Sequence, residues 1–224
     1  MKQSLIMNIH RLSQTSSVLN QFLYEIRSAS IQKDSMRFRR NIERIGEILS
    51  YEMSKTLDFE NVIAKTPLGE KEIEVPKHEL VICSILRAGL NLHVGVLNYF
   101  DRAENAFISA YRKHDENYPS NFRILVDYMA CPDLNNKVLL LVDPMLATGR
   151  SLGLTYEALL QHGVPKKVHV LSVIGSKEGV ASIQNTFPEN SHLWIADIDD
   201  QLDENAYIIP GLGDAGDLSY GKKL

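Results

Sequence analysis

The sequence predicts an α/β protein built on a parallel twisted sheet that is flanked by helices on both faces. Short runs of Val, Ile and Leu alternate with stretches of helical periodicity, and these runs lack the polar alternation of a half-exposed strand. Strands that are apolar on both faces are typical of buried parallel sheets covered by helices on either side. The predicted strands are Leu80–Leu86, Ala106–Tyr111, Lys137–Val142, Val168–Ile174 and His192–Ile198.

The N-terminal region predicts two helices followed by a β-ribbon. Helical patterns cover Ser17–Ile26 and Ser35–Ser54, and either Asp34 or the serine after it is suited to cap the second helix. That helix carries an apolar stripe on one face, which predicts ordinary core or dimer packing. A ribbon is expected from Asn61 to Val75, turning at Pro67–Gly69.

Length and composition predict one domain. The chain has 224 residues, of which 44% are hydrophobic and 23% are charged, which is enough to bury a core as a single domain spanning 1–224. Within it we distinguish N-terminal helices at 1–54, a middle segment at 112–130 and a C-terminal tail at 206–224. The net charge of −4 provides no basic surface for polymeric nucleic acid, so that partner is not expected.

Signals for targeting, disulfides and metals are weak. The first 30 residues lack a basic, apolar leader, and no run reaches 18 apolar residues, so we expect no membrane span and a cytoplasmic location. Cys83 and Cys131 are too few for a disulfide scaffold. The seven histidines are scattered without metal-binding spacing, so each is expected at the surface or in an incidental position. No protein ligand of a metal is predicted.

The most informative segment runs from Val138 to Ser151. Its apolar run ends in the carboxylate of Asp143, and a short loop of small and hydroxyl residues then leads into a helical pattern that closes at Gly163. At a helix N-terminus the backbone N–H groups and the positive end of the helix dipole favour an anion. The segment therefore predicts a phosphate cradle at the carboxyl end of a parallel strand.

Individual residues of this loop fit a ribose phosphate. Ala147 and Gly149 would let a phosphate approach the backbone, and Thr148 and Ser151 offer hydroxyl donors. Asp143 would instead accept from vicinal sugar hydroxyls or hold a hydrated divalent cation. Strand, loop and helix are nevertheless common in any α/β protein, and Asp or Ser at a helix start is often only a cap. Spacing alone leaves that structural role open.

The complete string from Asp143 to Gly149 resembles the phosphoribosyl-diphosphate loop of the phosphoribosyltransferases, in the form typical of the uracil-specific family. A second segment, Tyr207–Asp217, is similar to the uracil-recognition segment of that family nearly letter for letter. The resemblance extends over roughly residues 35–224. It implies the type I phosphoribosyltransferase fold, in which residues 112–130 would form a β-hairpin flap over the site.

The tail also contains Gly211, Gly213 and Gly216 at the spacing of a dinucleotide fingerprint. That fingerprint requires a preceding strand, a following helix and a further βαβ unit, for which too few residues follow, so a dinucleotide site is not expected. Clustered turn-forming residues instead predict a tightly folded backbone whose amides and carbonyls could read the acceptor–donor–acceptor edge of uracil. On composition alone, an ordinary glycine-rich tail is the alternative.

Two arginines match diphosphate-binding positions of the same family. Ile85–Leu90 follows an apolar run and resembles the loop that holds the diphosphate, with Arg87 in contact with it. Tyr111-Arg112 provides a shorter match, at which the family places a second diphosphate-binding arginine. A guanidinium suits this role because its planar fork can donate two parallel bonds to phosphate oxygens.

The resemblance implies transfer of a 5-phosphoribosyl group from 5-phosphoribosyl 1-diphosphate to N1 of uracil, giving UMP and diphosphate in pyrimidine salvage. It also implies Mg²⁺ as cofactor, an effector role for GTP, and a homodimer or larger homo-oligomer. The residues assigned to the donor are Arg87, Arg112, Asp143, Pro144, Met145, Leu146, Ala147, Thr148, Gly149, Arg150, Ser151 and Asp214. The residues assigned to uracil are Ile208, Gly213, Asp214 and Ala215, and those assigned to catalysis are Asp214 and Arg87.

Asp214 and two departures from the family pattern complete this interpretation. In the family Asp214 lies between the base and the phosphoribosyl group, where it could orient the nucleophile or Mg²⁺, or receive a proton; a turn residue bonded to its own backbone is the alternative. Arg150 stands where the family usually has a second glycine, which adds charge beside the 5′-phosphate. Residues 115–117 replace the usual Glu-Thr-Leu of the flap with Asp-Glu-Asn.

Two other functions remain open from the sequence. The first is a non-catalytic regulator that senses pyrimidine supply by binding phosphoribosyl diphosphate or UMP. The chain retains both arginines and the tail expected to bind the base. A sensor does not need groups arranged around a leaving diphosphate, so this retention argues against a non-catalytic regulator. The second is an enzyme of the same fold for another nucleobase, such as a purine, whose edge would mismatch the predicted tail.

Overall fold

The fold is organised around a mostly parallel central sheet. The computed structural model describes residues 7–77, 79–114 and 122–222, without the side chains of residues 110–127. The strands in this part of the chain are β1 (Asn8–Arg11), β2 (Phe59–Thr66), β3 (Gly69–Pro76), β4 (Leu80–Leu86), β5 (Glu104–His114), β6 (Phe122–Ala130), β7 (Val138–Val142), β8 (Met145–Leu146), β9 (Lys167–Ser176), β10 (His192–Asp199), β11 (Gln201–Leu202) and β12 (Ile208–Ile209). The main sheet has the order β1-β10-β9-β7-β4-β5-β6, with β8 beside β9. Its neighbours are parallel except β5 and β6.

Helices cover both faces of the sheet. They are α1 (Val18–Arg27), α2 (Ser35–Ser54), α3 (Leu90–Leu97), α4 (Arg150–Leu159), α5 (Lys177–Thr186) and α6 (Ala215–Tyr220). Buried side chains of α1, α2, α3 and α6 share one apolar cluster with the strands, whereas those of α4 and α5 share a second cluster on the opposite face. Across the described ranges, no helix is both long and apolar enough to cross a bilayer.

The predicted α/β class with a parallel sheet is confirmed, and most elements lie where the periodicity placed them. Strand β4 and helix α2 have the predicted bounds, and Asp34 caps α2 by accepting from two backbone N–H groups of its first turn. Ser17 is the cap of α1 rather than its first residue, because its side chain accepts from the N–H of Leu19. Strand β5 extends further than predicted, from Glu104 to His114, where it pairs with β6.

Strand β1 and helix α6 are among the elements that were not predicted. Strand β1 contains one aliphatic residue, Ile9, and takes its extended form from parallel pairing with β10 at the edge of the sheet. Helix α6 follows the glycine-rich turn of the tail, within a segment where turn formers suggested only irregular backbone. Both are short elements whose conformation depends on neighbours distant in sequence, so local periodicity carries little signal for them.

Histidines were expected at the surface or in incidental positions, and some of them are buried in the core. His169 is fully buried on β9, and His93 is 2% exposed on α3. The ring of His10 stacks on Trp194 with a centroid distance of 3.7 Å, and Trp194 Nε1 donates to His169 Nδ1 at 3.0 Å. His192 completes this group through a 3.1 Å contact between its Nδ1 and His10 Nε2. The rings of His10, His169 and His192 pack and form hydrogen bonds within this cluster. The number and spacing of histidines in the sequence could not indicate this role.

This cluster should make the protein acid-sensitive. Burial, followed by the charges of Lys167 and His10, lowers the pKa of His192 to about 4, and burial also lowers the pKa of His169. Because the unfolded chain takes up these protons near pH 6.5 and the folded chain does not, the contribution to stability is complete above pH 6.5 and is lost on acidification. We expect the contribution of these histidines to the free energy of unfolding to fall by about 2–4 kcal/mol between pH 7 and pH 4.5.

Urea unfolding followed by fluorescence of Trp194, the single tryptophan, measures this loss. The variant His192→Gln provides the control, because glutamine carries no titrating proton. On acidification the unmodified chain should lose stability relative to this variant, whereas a difference in free energy of unfolding that does not change with pH would show that His192 does not contribute.

Candidate functional site

The loop after β7 forms a polar cavity at the carboxyl edge of the sheet. Asp143 directly follows the strand, and the chain then passes through β8 to the first turn of α4. The cavity measures about 40 Å³. Its lining residues are Asp143, Met145, Ala147, Thr148, Gly149, Ser151 and Leu152. The N-terminus of α4 faces this space, so backbone N–H groups and hydroxyls surround a volume suited to a small anion.

Three further residues assigned to the donor lie around the cavity rather than in its lining. Leu146 is fully buried in the apolar cluster beneath the loop, so only its backbone is available to a ligand. The carbonyl of Pro144 accepts from the N–H groups of Val173 and Ile174. Arg150 is exposed at the start of α4, and its backbone N–H lies 3.5 Å from Thr148 Oγ1.

Two serines of β9 hold this loop in place, and sequence reasoning missed both. Ser172 Oγ donates to the carbonyl of Asp143 at 2.6 Å. Ser176 Oγ donates to the carbonyl of Ala147 at 2.5 Å and accepts from the N–H of Gly179 at 2.9 Å. Hydroxyls on an otherwise apolar buried strand need partners, so these serines were a usable signal.

Glycine is required where the loop meets α5. Gly149 has a φ of +76°, and a Cβ there would lie 3.0 Å from the carbonyl oxygen of Gly179. A Cβ on Gly179 would come 2.3 Å from the carbonyl oxygen of Ala147. The loop and α5 are therefore in backbone contact, and the bare α-carbon of Gly149 serves this packing as well as a left-handed turn.

Asp143 has an unusual electrostatic environment. Its side chain is nearly buried, and its Oδ1 accepts from the backbone N–H of Met145 at 3.3 Å. Burial raises the pKa of this carboxyl to about 7, and the bond from Met145 opposes the rise only in part. A ligand that supplies hydroxyl donors or a cation at this point would relieve the cost of the buried charge.

Asp143→Asn should stabilise the ligand-free protein. Because the pKa of Asp143 is higher in the folded than in the unfolded chain, its ionisation destabilises the fold as pH rises from about 4 to 7, and the penalty is complete above pH 7. We expect the free energy of unfolding at pH 8 to rise by roughly 1–3 kcal/mol in the variant, with no gain near pH 4. Chemical denaturation at both pH values measures the difference, and equal stability at pH 8 would contradict the expectation.

Arg87 lies beside the phosphate loop, which comprises residues 143–149, and contacts the tail. It follows β4, which is hydrogen-bonded to both β7 and β5, so the ends of these strands are neighbours at one edge. The guanidinium is partly exposed, and its Nη2 donates to Asp217 Oδ1 and to the carbonyl of Gly221, both at 3.3 Å. The backbone of Arg112 lies in β5, but its side chain lies outside the described residues, as do residues 115–121 of the predicted flap.

The tail brings the residues assigned to uracil to the same edge. Ile208 is buried in β12, which pairs with β11, and Gly213 is exposed with a φ of +93°. Ala215 is buried at the start of α6, and Asp214 caps that helix by accepting from the N–H of Asp217 at 2.8 Å. Ile208, Leu212 and Ala215 of the tail share an apolar cluster with Met145 and Ala147 of the phosphate loop.

A largely buried ion pair anchors the tail, and nothing local in the sequence indicated it. Arg27, the last residue of α1, donates from Nη1 to Asp199 Oδ2 at 2.8 Å and from Nη2 to Asp199 Oδ1 at 3.0 Å. Its Nη1 also donates to the carbonyl of Gly211 at 3.0 Å. Asp199 Oδ2 accepts from the N–H of Gly211 at 3.1 Å. The partners are 172 and 184 positions from Arg27, too far for any spacing argument.

Together these residues surround one edge of the sheet with complementary groups. A helix N-terminus with hydroxyls would hold one anion, a nearby guanidinium could hold a second, and the tail lies beside them. Within residues 7–77, 79–114 and 122–222, no group of three or more His, Cys, Asp or Glu side chains is arranged to hold a metal ion. The arrangement suits a small molecule that carries two anionic groups.

Comparison with known sequences gives consistent matches over nearly the whole chain. A family model described as uracil phosphoribosyltransferase matches residues 13–222. A protein named uracil phosphoribosyltransferase from Porphyromonas gingivalis is 51% identical over 218 residues, which cover 97% of this chain and 100% of the relative. The protein of that name from Pyrococcus furiosus is 34% identical, with coverage of 93% of this chain and 88% of the relative.

Solved structures share the architecture. The AQ2163 protein from Aquifex aeolicus superposes with a TM-score of 0.83 at 29% identity, covering 95% of this chain and 98% of its own. The TT1426 protein from Thermus thermophilus shares the fold with a TM-score of 0.50 at 13% identity, covering 80% of this chain and 94% of its own.

Proposed function

The chain belongs to the uracil phosphoribosyltransferase family of enzymes, and from that membership we propose how its own residues carry out the reaction. The substrates would be uracil and 5-phosphoribosyl 1-diphosphate, and the products UMP and diphosphate. We take residues 1–224 as one catalytic domain. The observation that carries the proposal is the meeting of the phosphate loop, Arg87 and the tail at one edge of the sheet.

The donor would be held at both of its anionic ends. Thr148, Ser151 and the N-terminus of α4 would bind the 5′-phosphate, while Arg87 and Arg112 would bind the diphosphate. Asp143 would accept from the ribose hydroxyls, which would relieve the cost of its burial. As the diphosphate leaves, the anomeric carbon gains oxocarbenium character, so stabilising the leaving charge and aligning N1 of uracil are the main tasks of the protein.

The base would be recognised mainly by the backbone. Ile208, Gly213 and Ala215 would present main-chain groups to uracil, and Asp214 would lie between the base and the sugar. The cap bond that Asp214 forms with α6 holds its carboxylate at a defined position next to these groups. Arg150 would add a positive charge near the 5′-phosphate, and residues 112–130 would cover the site as a flap.

The residues at this edge fit Mg²⁺ that arrives with the diphosphate. Mg²⁺ is usually held by one or two carboxylates together with substrate phosphates and water, and Asp143 is a nearly buried carboxylate beside the proposed phosphate site. When bound, the ion would neutralise charge on the donor. Asp143 is therefore the protein group that we propose to face it, directly or through water.

A direct assay tests the proposed reaction. The protein is incubated with 5-phosphoribosyl 1-diphosphate, Mg²⁺ and each nucleobase in turn, and nucleotide formation is measured. UMP from uracil alone is the expected result. A purine nucleotide would favour an enzyme for another base, and the absence of product with every base would favour a regulator that only senses the donor or UMP.

We also propose that the protein is a homodimer or a larger homo-oligomer. In the β2–β3 arm, residues Phe59–Pro76, both strands are largely exposed, including Ile63, and Leu68 in the turn between them is 99% exposed. Exposed apolar side chains on an unsheltered two-stranded ribbon favour burial against a second copy of the chain. Light scattering should show a smaller assembly for Leu68→Asp, whereas Val164→Asp, an exposed apolar site outside the arm, should leave the mass unchanged.

Two further proposals concern regulation and location. GTP is proposed as an effector, and a change in turnover or in assembly mass on adding GTP would support it.

A cytoplasmic location is proposed because Cys83 and Cys131 are both free thiols, which is typical of a reducing compartment. Fractionation of cells that express the tagged protein tests the location.

A further inference from the structure

We propose that Arg27 and Asp199 are positioning residues for the base. Together they hold both polar groups of Gly211 and so determine the conformation of the segment that reads the pyrimidine. The inference rests on the proposed function, in which this segment recognises uracil, and extends it to a pair of side chains outside the loops assigned to the substrates.

The geometry is that of a bidentate pair with a third partner. Both terminal nitrogens of Arg27 donate to the carboxylate of Asp199, at 2.8 and 3.0 Å. The same Nη1 reaches the carbonyl of Gly211 at 3.0 Å, while Asp199 Oδ2 accepts the N–H of Gly211 at 3.1 Å. The N–H of Gly211 is thus bound to Asp199 and its carbonyl is bound to Arg27. Because both polar groups of Gly211 are held by one ion pair, its backbone has little freedom.

Gly211 is a sensitive point in the tail. It has a φ of +56°, and a Cβ there would come 2.1 Å from the carbonyl oxygen of Ile208. Gly211 lies between Ile208 and Gly213, two of the positions assigned to uracil. A change in its backbone angles would therefore shift one side of the base site relative to the other, and a misplacement of about 1 Å is enough to weaken recognition strongly.

Asp199 also connects the tail to the phosphate loop. It ends β10, where its Cα is paired with that of Ser176 on β9. Ser176 in turn donates to the carbonyl of Ala147 in the phosphate loop. The base segment and the phosphate loop are consequently held by neighbouring residues at the ends of adjacent strands, so the Arg27–Asp199 pair sets the tail in register with the donor site.

The second arginine of this region provides a matched control. Arg11 donates to Asp197 Oδ1 at 2.7 Å, and Arg27 donates to Asp197 Oδ2 at 2.9 Å. The guanidinium of Arg11 also donates to Ser13, far from the tail in sequence, and its side chain is 39% exposed against 20% for Arg27. Arg11→Gln therefore removes a charge of the same kind from the same network while leaving both bonds to Gly211 in place.

Steady-state kinetics separates positioning from a general loss of structure. In Arg27→Gln we expect KM for uracil to rise about tenfold, because a buried hydrogen-bonded partner is lost, while KM for 5-phosphoribosyl 1-diphosphate stays within about twofold. Arg27→Lys should recover part of the loss, since one ammonium keeps the charge but cannot reproduce the fork. Arg11→Gln should leave both KM values unchanged. Equal increases in both KM values, or none in either, would overturn the inference.

Hydrogen–deuterium exchange of the tail gives an independent measurement. UMP should slow exchange of amides in residues 206–216 of the unmodified protein, which tests whether the tail contacts the base at all. The ligand-free Arg27→Lys and Arg27→Gln variants should exchange these amides faster than Arg11→Gln. Protection by UMP in the unmodified chain together with unchanged exchange in the Arg27 variants would refute the positioning role alone. No protection by UMP would refute the proposed base site instead.

Discussion

Asp214→Asn should fold normally and lose at least about 100-fold in kcat. Asp214 caps α6, and its Oδ1 accepts the backbone N–H of Asp217 at 2.8 Å. Asparagine can form the same bond, because its side-chain carbonyl is an equally good N-cap acceptor. The substitution therefore removes the negative charge and leaves the cap, so a loss of turnover would report on the charge beside the base and the sugar.

Asp203→Asn is the control for this experiment. Asp203 lies just before the tail, and its Oδ1 accepts from the backbone N–H groups of Asn205 and Tyr207 at 2.9 and 2.7 Å. The Asp203→Asn variant should retain turnover close to that of the unmodified protein. Initial rates of both variants at saturating substrates measure kcat, and circular dichroism shows whether each variant is folded. Full turnover in a folded Asp214→Asn protein would remove Asp214 from the mechanism and leave only its capping role.

Arg87→Gln is expected to lower kcat/KM for 5-phosphoribosyl 1-diphosphate by roughly 100-fold to 1000-fold. The loss follows from the charge that develops on the leaving diphosphate, which a neutral amide stabilises far less than a guanidinium. The fold should be unaffected, because the Arg87 side chain is 40% exposed and its bonds to Asp217 and Gly221 are long, at 3.3 Å. Arg87→Lys should give an intermediate rate, since the charge remains without the planar fork.

The matched control is Arg102→Gln. Arg102 is exposed just before β5, at the opposite edge of the sheet from the site. The Arg102→Gln substitution changes the net charge of the protein by the same amount as Arg87→Gln, so it controls for long-range attraction of the anionic donor. If both variants lost the same factor in kcat/KM, the effect of Arg87 would be one of overall charge, and its assignment to the diphosphate would fail.

The sequence predicted best the elements whose conformation is specified locally. Strand β4 is an apolar run interrupted only by Ser84, and α2 combines a capping Asp34 with an apolar stripe of helical period, so both were placed with the bounds that the structure has. Strand β1 and helix α6 were missed, because β1 is formed by pairing with β10 and α6 is stabilised by packing against the first apolar cluster. Neither contact has a signature within a few residues.

The residues of the candidate site fall into the same two groups, those specified by local motifs and those identified only in the tertiary structure. The residues assigned to the phosphate loop and the tail were found from contiguous motifs, whose order along the chain carries their chemistry. The residues that hold those motifs were found only in three dimensions, among them Ser172, Ser176, Arg27 and Asp199. Each acts through one or two hydrogen bonds to residues distant in sequence, and a lone serine or arginine does not show what it will meet.

By itself, the sequence determined the α/β class, the bounds of its most regular elements and the three segments proposed to bind substrate, because periodicity and short motifs are local properties of a chain. Only the tertiary structure decided how those segments meet. It buried Asp143, raising its pKa to about 7, and it paired Arg27 with Asp199 at the base of the tail. Burial and charge pairing depend on the whole surroundings of a group, so they arise only when distant parts of the chain are packed together.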